Sequence, residues 1–343
     1  MPRKKRGVSL AGLVFIFIAF VVLAISIQNL NNTNLALIRN LTDENSISET
    51  ELNNKEVSAT TRNIVDHYYY DQIGEGAKIM YNTILENVDT LRSGYGTIEF
   101  PTDGAISDKD FQTAWDAFKL DHPEIFYVDT SQLSLVTQKT SYLFIKKTYY
   151  KYSLTEKEGG YYLGSFKSVE DIESAEVAIE SVTNSILAGA NGSRYNKIKY
   201  AHDWIVDHSE YNKNEDDTND SIYGILVKKK AVCEGYANTF KYLMDKMNIP
   251  CVIVYGTATN SSGESEAHAW NYVQLDGEWY AMDVTWDDPT IGGSGTPSQE
   301  WLNQIHHSYF LKGANDTNFM NSHILDDDFE VPTLNGSDYA GAA

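Results

Sequence analysis

Cys233 is the residue of this sequence best suited to covalent chemistry, because it opens a predicted helix. The segment AVCEGYANTF is followed by apolar residues at helical spacing, Leu243, Met244 and Met247. The unpaired backbone amides at a helix N-terminus favour a thiolate over a thiol, and they can also stabilise an oxyanion during acyl transfer. The pattern therefore predicts a nucleophilic cysteine or, as for many cysteines, one that simply packs beneath the helix.

A histidine and an aspartate fall on a hairpin predicted after this helix. The dipeptide Asp276-Gly277 separates two strand-like runs and favours a two-residue turn. With that turn, Asp283 is the diagonal neighbour of His268 on one face of the sheet, roughly 7 Å away. A thiolate needs a base that a third group orients, and a carboxylate beside an imidazole meets this need. Taken alone, His268 also fits an aromatic cluster, and Asp283 an exposed sheet edge.

The segments AVCEGYANTF, HAWNYVQLDGEWYAMDVTWDDP and SYFLKG resemble the transglutaminase-like superfamily, in the exported, membrane-anchored form of Gram-positive bacteria. The resemblance covers about residues 195–323 and implies a papain-like α+β core, with helices packed on an antiparallel sheet. It implies that Cys233 is the nucleophile, His268 the base and acid, and Asp283 the orienting group. The segment DHPEIFYV (121–128) resembles a unit often found upstream of such domains.

Three aromatic residues are further candidates for this site. By the same resemblance, Tyr211 takes a place where the family often has an aromatic residue near the oxyanion. Trp270 and Trp286 are candidates for walls of the site, although packing is the simpler role for both. Asp287 and Asp288 precede a proline and predict a turn after the last strand.

The sequence predicts neither a metal nor a cofactor. His306, His307 and His323 match no familiar zinc spacing, so we interpret them as structural or surface residues. Zinc held by the cysteine, histidine and aspartate named above is an alternative, but structural zinc usually has more thiolates.

The elements that must position these residues follow an α+β order. In the second half, three helices precede three strands, and this segregation favours an antiparallel sheet. The predicted helices there are 195–207, 221–228 and 233–247, and the strands are 251–257, 267–275 and 278–285. In the first half we predict helices at 75–91, 108–122 and 168–187, and strands at 125–128, 141–150 and 161–163.

The N-terminus predicts a membrane anchor. A basic run, 3–6, precedes the uncharged stretch 7–27, which at about 1.5 Å per residue can cross a hydrocarbon core of about 30 Å. The basic flank should stay cytoplasmic, which places the remainder outside the cell. Ala24-Ile25-Ser26 also fits a signal-peptidase site, and cleavage there would give a secreted protein.

These observations divide the chain into an anchor, a stalk and two α+β domains. The predicted parts are a basic tail (1–6), a transmembrane anchor (7–27), a polar stalk (28–61), a small N-terminal α+β domain (62–187), a catalytic domain (188–332) and a C-terminal tail (333–343).

Charge and cysteine content exclude other classes. Lys and Arg number 27 and Asp and Glu 48, for a net charge of −21, which argues against nucleic-acid binding. Two cysteines are too few for a disulfide framework.

We therefore predict cysteine-dependent acyl transfer on peptide or protein amides of the cell envelope. An amine acceptor would give a crosslink, and water would give a protease or amidase. The alternative is a non-catalytic binding or scaffold protein with the same fold, which the long stalk and the N-terminal domain favour.

Overall fold

A computed structural model of the protein describes residues 67–101, 106–142, 147–288, 307–326, 328–337 and 339. The predicted basic tail, anchor and stalk lie outside these residues. Within the described ranges, no helix is long and apolar enough to cross a membrane. The anchor at 7–27 therefore stays a prediction.

Seven α-helices fall within the described ranges, and serine caps begin three of them. Ser107, Ser168 and Ser193 each accept a hydrogen bond from the backbone N–H three residues on, which satisfies an otherwise unpaired donor of the first turn. The helices are α1 (Glu75–Glu86), α2 (Val88–Arg92), α3 (Asp108–Asp121), α4 (Val169–Gly189), α5 (Arg194–His208), α6 (Cys233–Lys246) and α7 (Thr317–Ser322).

Nine strands form three sheets in the described part of the chain. The N-terminal sheet is antiparallel with the order β1-β3-β2, and a second antiparallel sheet has the order β8-β7-β6-β9. A short parallel pair, β4 and β5, lies before α6. The strands are β1 (Ile98–Glu99), β2 (Leu133–Tyr142), β3 (Lys147–Glu156), β4 (Glu210–Tyr211), β5 (Lys230–Ala231), β6 (Cys251–Thr259), β7 (Ser265–Leu275), β8 (Glu278–Met282) and β9 (His323–Leu325). Helices packed on antiparallel sheets confirm the α+β class.

Four predicted elements differ most from the structure. The single strand predicted at 141–150 is the meeting point of β2 and β3, whose ends Tyr142 and Lys147 pair with each other. The strands predicted at 125–128 and 161–163 are reduced to one bridge, between Val128 and Tyr162. The helix predicted at 221–228 is a π-helical turn over Gly224–Lys228. Aromatic and β-branched residues indicate an extended chain without showing where it reverses.

The buried side chains of both halves belong to one hydrophobic cluster. Phe126 stacks on Tyr223 with ring centroids 6.0 Å apart, and the Tyr69 hydroxyl donates a hydrogen bond to the carbonyl of Ile253 in β6. The first half therefore packs directly on the sheet of the second half, while the domain boundary at 188 stays a prediction.

Gly235, in the first turn of α6, permits a close approach between this helix and the preceding loop. A Cβ at this position would lie 2.3 Å from the carbonyl oxygen of Asn219 and 2.6 Å from the Cβ of Ala231. The same loop holds the start of the helix, because Val232 N–H donates to Asn219 O at 3.1 Å. The helix start therefore depends on the absence of a side chain at Gly235.

We predict that Gly235→Ala lowers the free energy of unfolding by about 1–3 kcal/mol, the usual cost of overpacking a close-packed site. Gly74→Ala is the matched control, because a Cβ at Gly74 would meet no atom within 4 Å; its cost should stay below about 1 kcal/mol. Urea unfolding measures both values. Equal losses for the two variants would contradict the close approach at Gly235.

Candidate active site

Cys233 is the first residue of α6, as the sequence predicts, and its side chain is half-buried. The N-cap is Val232 in an extended conformation, and no side chain from the described residues caps the helix. The sulfur therefore lies beside the first-turn amides at the positive end of the helix dipole. Cys251, in contrast, is fully buried in β6.

His268 and Asp283 are brought together by the hairpin of β7 and β8. Asp276 and Gly277 have φ of 55° and 87°, as a type I′ turn requires, and the residues that flank them pair with each other as predicted. Asp283 directly follows β8. His268 Nε2 donates to Asp283 Oδ2 at 2.9 Å, and the two residues are 4% and 0% exposed.

The protonation of this pair is set by burial and by its partners. Burial alone lowers the pKa of His268, but the Asp283 carboxylate and hydrogen bonds with Asp283 and Cys233 raise this pKa to about 10. Burial alone raises the pKa of Asp283, but the charge of His268 and hydrogen bonds from His268 and His323 hold it well below its usual range. Nε2 of His268 is hydrogen-bonded to Asp283, so Nδ1 is the ring nitrogen that remains for Cys233. The imidazole therefore lies between the sulfur and the carboxylate.

His323, the first residue of β9, also contacts Asp283. Its Nε2 donates to Asp283 Oδ2 at 3.0 Å, and the residue is 4% exposed. The sequence predicts a structural or a surface role for His323. Its burial excludes the surface role and leaves the structural one. The local sequence carries no signal for this contact, because it depends on the pairing of β9 with the distant strand β6.

The three aromatic candidates lie near this group. The rings of Trp286 and Trp270 are 5.4 and 6.1 Å from the ring of His268, and the backbone N–H of Trp286 donates to Asp283 Oδ1 at 3.1 Å. Burial, and then charge interaction with Cys233, raise the pKa of Tyr211 to about 12. Tyr211 pairs with Ala231, two residues before Cys233, and the function of all three residues stays a prediction.

A buried hydrogen bond from Tyr236 to Asp288 connects α6 to the segment after β8. The two residues are 0% and 2% exposed. Burial and the Asp288 carboxylate raise the pKa of Tyr236 well above its usual range, so the hydroxyl stays protonated and donates. Because Tyr236 lies one turn after Cys233 and Asp288 shortly after Asp283, this bond positions the sulfur relative to the carboxylate.

A second buried histidine and aspartate pair lies beside this segment. His202 Nε2 donates to Asp287 Oδ2 at 3.0 Å, and Asp287 Oδ1 accepts the backbone N–H of Tyr309 at 2.9 Å. Asp287 and Asp288, predicted as turn residues, are therefore buried anchors of the turn. The sequence could show the turn but not the partners, which come from α5, α6 and the segment before α7.

Two groups of side chains have donor atoms close enough to share a metal ion. They are His268, Asp283 and His323, and His202, Asp203 and His307, with the atoms of each group within 4.8 Å of one another. Neither group includes Cys233. In the second group the Lys199 ammonium lies 2.5 Å from Asp203 Oδ2 and 2.8 Å from His307 Nε2, so a cation already neutralises the carboxylate. His306 lies outside the described residues.

A cavity of about 280 Å³ opens beside His268, between α3 and β6. Three carboxylates, Asp116, Asp326 and Asp328, and the ammonium of Lys119 line it. Its apolar lining is Tyr69, Leu120, Ile253, Tyr255, Phe329 and Val331. The cavity therefore offers a mainly apolar surface with excess negative charge next to the candidate base.

Comparison with known proteins finds similarity centred on this site. Residues 180–284 match the family model of the Transglutaminase-like superfamily. Mouse kyphoscoliosis peptidase is 27% identical over 156 residues, which are 41% of this chain and 23% of that protein. Human kyphoscoliosis peptidase is 30% identical over 120 residues, which are 32% of this chain and 18% of that protein. The chain thus spans less than a quarter of these relatives.

A solved TGase structure is 15% identical, with 65% of this chain and 63% of that chain covered and a TM-score of 0.31. Cys233, His268 and Asp283 all fall inside the range that the family model matches. The part of the chain that holds these three residues is therefore similar to the Transglutaminase-like superfamily.

Proposed function

We propose that the protein is an enzyme that transfers acyl groups of peptide or protein amides through Cys233. The observation that carries this proposal is the connection from the Cys233 sulfur through the His268 ring to the buried Asp283 carboxylate, 2.9 Å from Nε2. A nucleophile, a base and an orienting group in this order are the parts that covalent acyl transfer requires.

The reaction would proceed in two halves. His268, protonated because its pKa is raised, pairs with the Cys233 sulfur, which attacks the amide carbonyl carbon as the thiolate. The first-turn amides of α6 stabilise the oxyanion that forms. As the C–N bond breaks, His268 gives its proton to the leaving ammonia or amine, and a thioester remains. His268 then removes a proton from the acceptor, which attacks the thioester and releases Cys233.

The nature of the acceptor decides the reaction class. An amine acceptor gives a crosslinked product, and water gives a protease or amidase. In this mechanism Tyr211 donates toward the oxyanion, and Trp270 and Trp286 wall the site. The Asp116, Asp326 and Asp328 carboxylates beside the cavity would favour a positively charged neighbour of the reacting amide.

We further propose that the enzyme works at the outer face of the cell membrane on proteins of the cell envelope. The support for this location is the basic run 3–6 followed by the apolar stretch 7–27. Cleavage after the apolar stretch would instead release the same enzyme from the cell.

We expect Cys233→Ala and His268→Ala to abolish turnover, whereas Asp283→Asn should keep a trace of it, because the nucleophile and base remain. Casein is incubated with a biotin-tagged alkylamine, and mass spectrometry reads the products. Tagged glutamine indicates crosslinking, and deamidated glutamine or new peptide ends indicate hydrolysis. Cys251→Ala is the matched control and should stay active, since Cys251 is fully buried. Parent-like turnover by Cys233→Ala would refute the mechanism, and an inert parent would favour a binding protein.

The His268–Asp283 pair should make stability depend on pH. The pKa of His268 is raised to about 10, so its contribution is complete below its unfolded value of about 6.5 and disappears as the pH rises toward 10. The lowered pKa of Asp283 gives a contribution to stability that is present above about pH 4 and lost below it.

Asp283→Asn should therefore lower the free energy of unfolding by about 3–5 kcal/mol near pH 6, and by clearly less near pH 10. Urea unfolding at both pH values, with the exposed Asp71→Asn as control, decides; a cost independent of pH would contradict the pairing.

The cavity beside His268 should contribute to substrate binding. Val331→Trp would fill part of it, and we expect KM to rise about tenfold, equivalent to about 1.4 kcal/mol of lost binding. Alkylation of Cys233 by the small reagent iodoacetamide should keep its rate. Val177→Trp, at a position 67% exposed on α4, is the matched control. An unchanged KM in Val331→Trp would show that the substrate does not enter the cavity.

A further inference from the structure

The Asp283 carboxylate is fully buried and accepts three hydrogen bonds. His268 Nε2 and His323 Nε2 both donate to Oδ2, at 2.9 and 3.0 Å, and the backbone N–H of Trp286 donates to Oδ1 at 3.1 Å. The mechanism above uses only the bond with His268. His323 is therefore a buried imidazole that contacts the triad and has no role in it so far.

The strand register explains how His323 reaches Asp283. Gly256 of β6 pairs with His268 on one side, and Ala258 pairs with His323 on the other. Positions two apart in a strand share one face, so both imidazoles lie on the same face of the sheet. Gly256 has no side chain to separate them, and a Cβ there would lie 2.1 Å from the Ile324 carbonyl. The close approach of β9 thus depends on this glycine.

The surroundings of His323 keep its ring in one orientation. The ring stacks on Phe319 with centroids 4.0 Å apart and an interplanar angle of 5°. Trp270 and Trp286 meet it edge to face at 5.1 and 4.8 Å. Its Nδ1 lies 2.9 Å from Ser322 Oγ. The ring therefore has little freedom to turn away from Asp283.

Hydrogen bonding allows Nε2 of His323 only one role. Ser322 Oγ has one proton and two neighbours, His323 Nδ1 at 2.9 Å and the Phe319 carbonyl at 3.1 Å. If the hydroxyl donates to Nδ1, the ring is the neutral tautomer with a proton on Nε2. If it donates to Phe319, Nδ1 carries a proton too, and the ring is a cation. In both states Nε2–H donates to the Asp283 carboxylate.

We infer that His323 is a positioning residue for the acyl transfer proposed above: its Nε2–H holds the Asp283 carboxylate in the orientation in which Oδ2 receives His268 Nε2–H. The expected effect on rate rests on the proposed function. The hydrogen-bond coupling of His323 to His268 through Asp283 rests on the geometry alone. A carboxylate with a single imidazole partner could rotate about its Cβ–Cγ bond, and the second donor opposes this rotation.

Two substitutions separate hydrogen bonding from packing. His323→Gln keeps an N–H donor near the position of Nε2 but loses the ring, whereas His323→Phe keeps a ring to stack on Phe319 but loses the donor. For the full-length chain acting on casein and the tagged alkylamine, we expect His323→Phe to lower kcat about tenfold to hundredfold, by analogy with the loss when the hydrogen-bond partner of a metal ligand is removed. KM should be unchanged, because His323 lies behind Asp283. His323→Gln should recover much of kcat.

A double substitution tests whether the effect passes through Asp283. In the Asp283→Asn background, His323→Phe should change kcat by less than about twofold, because coupled residues do not add. Urea unfolding midpoints verify that each variant is folded. If His323→Phe equals or exceeds His323→Gln in kcat, or keeps its full effect in the Asp283→Asn background, the positioning role is wrong and His323 only packs.

A spectroscopic measurement separates this inference from the proposed function. In ¹⁵N-histidine-labelled protein, the Nε2–H resonance of His268 reports its bond with Asp283. We expect His323→Phe to shift this resonance and His323→Gln to leave it close to the parent. If the parent protein does not react with casein and the alkylamine but the His268 resonance shifts in His323→Phe, the proposed enzyme activity is refuted. The coupling between His323 and His268 is then still supported. An active parent with no shift in either variant would refute the coupling alone.

Discussion

The structure of this site depends on the burial of one negative charge. Asp283 is fully buried, and an isolated carboxylate in such a place would cost several kcal/mol or become protonated. Three donors, from β7, β9 and the turn after β8, keep it ionised. Because the movement of any one of these elements would remove a donor from the buried charge, the carboxylate also restrains the distances between them. The same charge holds a proton on His268, so one carboxylate affects both the packing and the protonation of the site.

Two more carboxylates in the turn after β8 are also buried and paired with donors. Asp283, Asp287 and Asp288 lie within six residues and are almost completely buried. Each takes a different partner: His268 from β7, His202 from α5 and Tyr236 from α6. The charge of Asp283 adds to the burial that raises the pKa of Asp287, so the three carboxylates tolerate one another only because each is separately paired. The turn therefore joins the helix that carries the cysteine to the sheet that carries the histidine.

Short-range features of this site were predictable, and long-range ones were not. The Asp-Gly turn, the register that places Asp283 beside His268 and the start of α6 at Cys233 all follow from residues close together in the chain. The contact of His323 with Asp283 does not, because it requires β9 to pair with β6, and the hairpin of β7 and β8 separates these two strands in the sequence. The division of the run 141–150 between β2 and β3 was missed for a related reason. A pattern of aromatic and β-branched residues favours extended chain on both sides of a reversal.

The proposed reacting groups and the cavity beside them come from different parts of the chain. Cys233, His268 and Asp283 all lie within residues 180–284, the range that the family model matches. The cavity wall opposite β6 comes from α3 and from the segment that contains Phe329, both outside that range. Gln72 holds this segment, since its side chain donates to the Glu330 carbonyl at 2.9 Å and accepts the Glu330 N–H at 2.8 Å. Because the wall is built from elements that contain none of the reacting groups, its shape and charge can change without moving the triad. The proposed chemistry and the choice of substrate are thus separable properties of this fold.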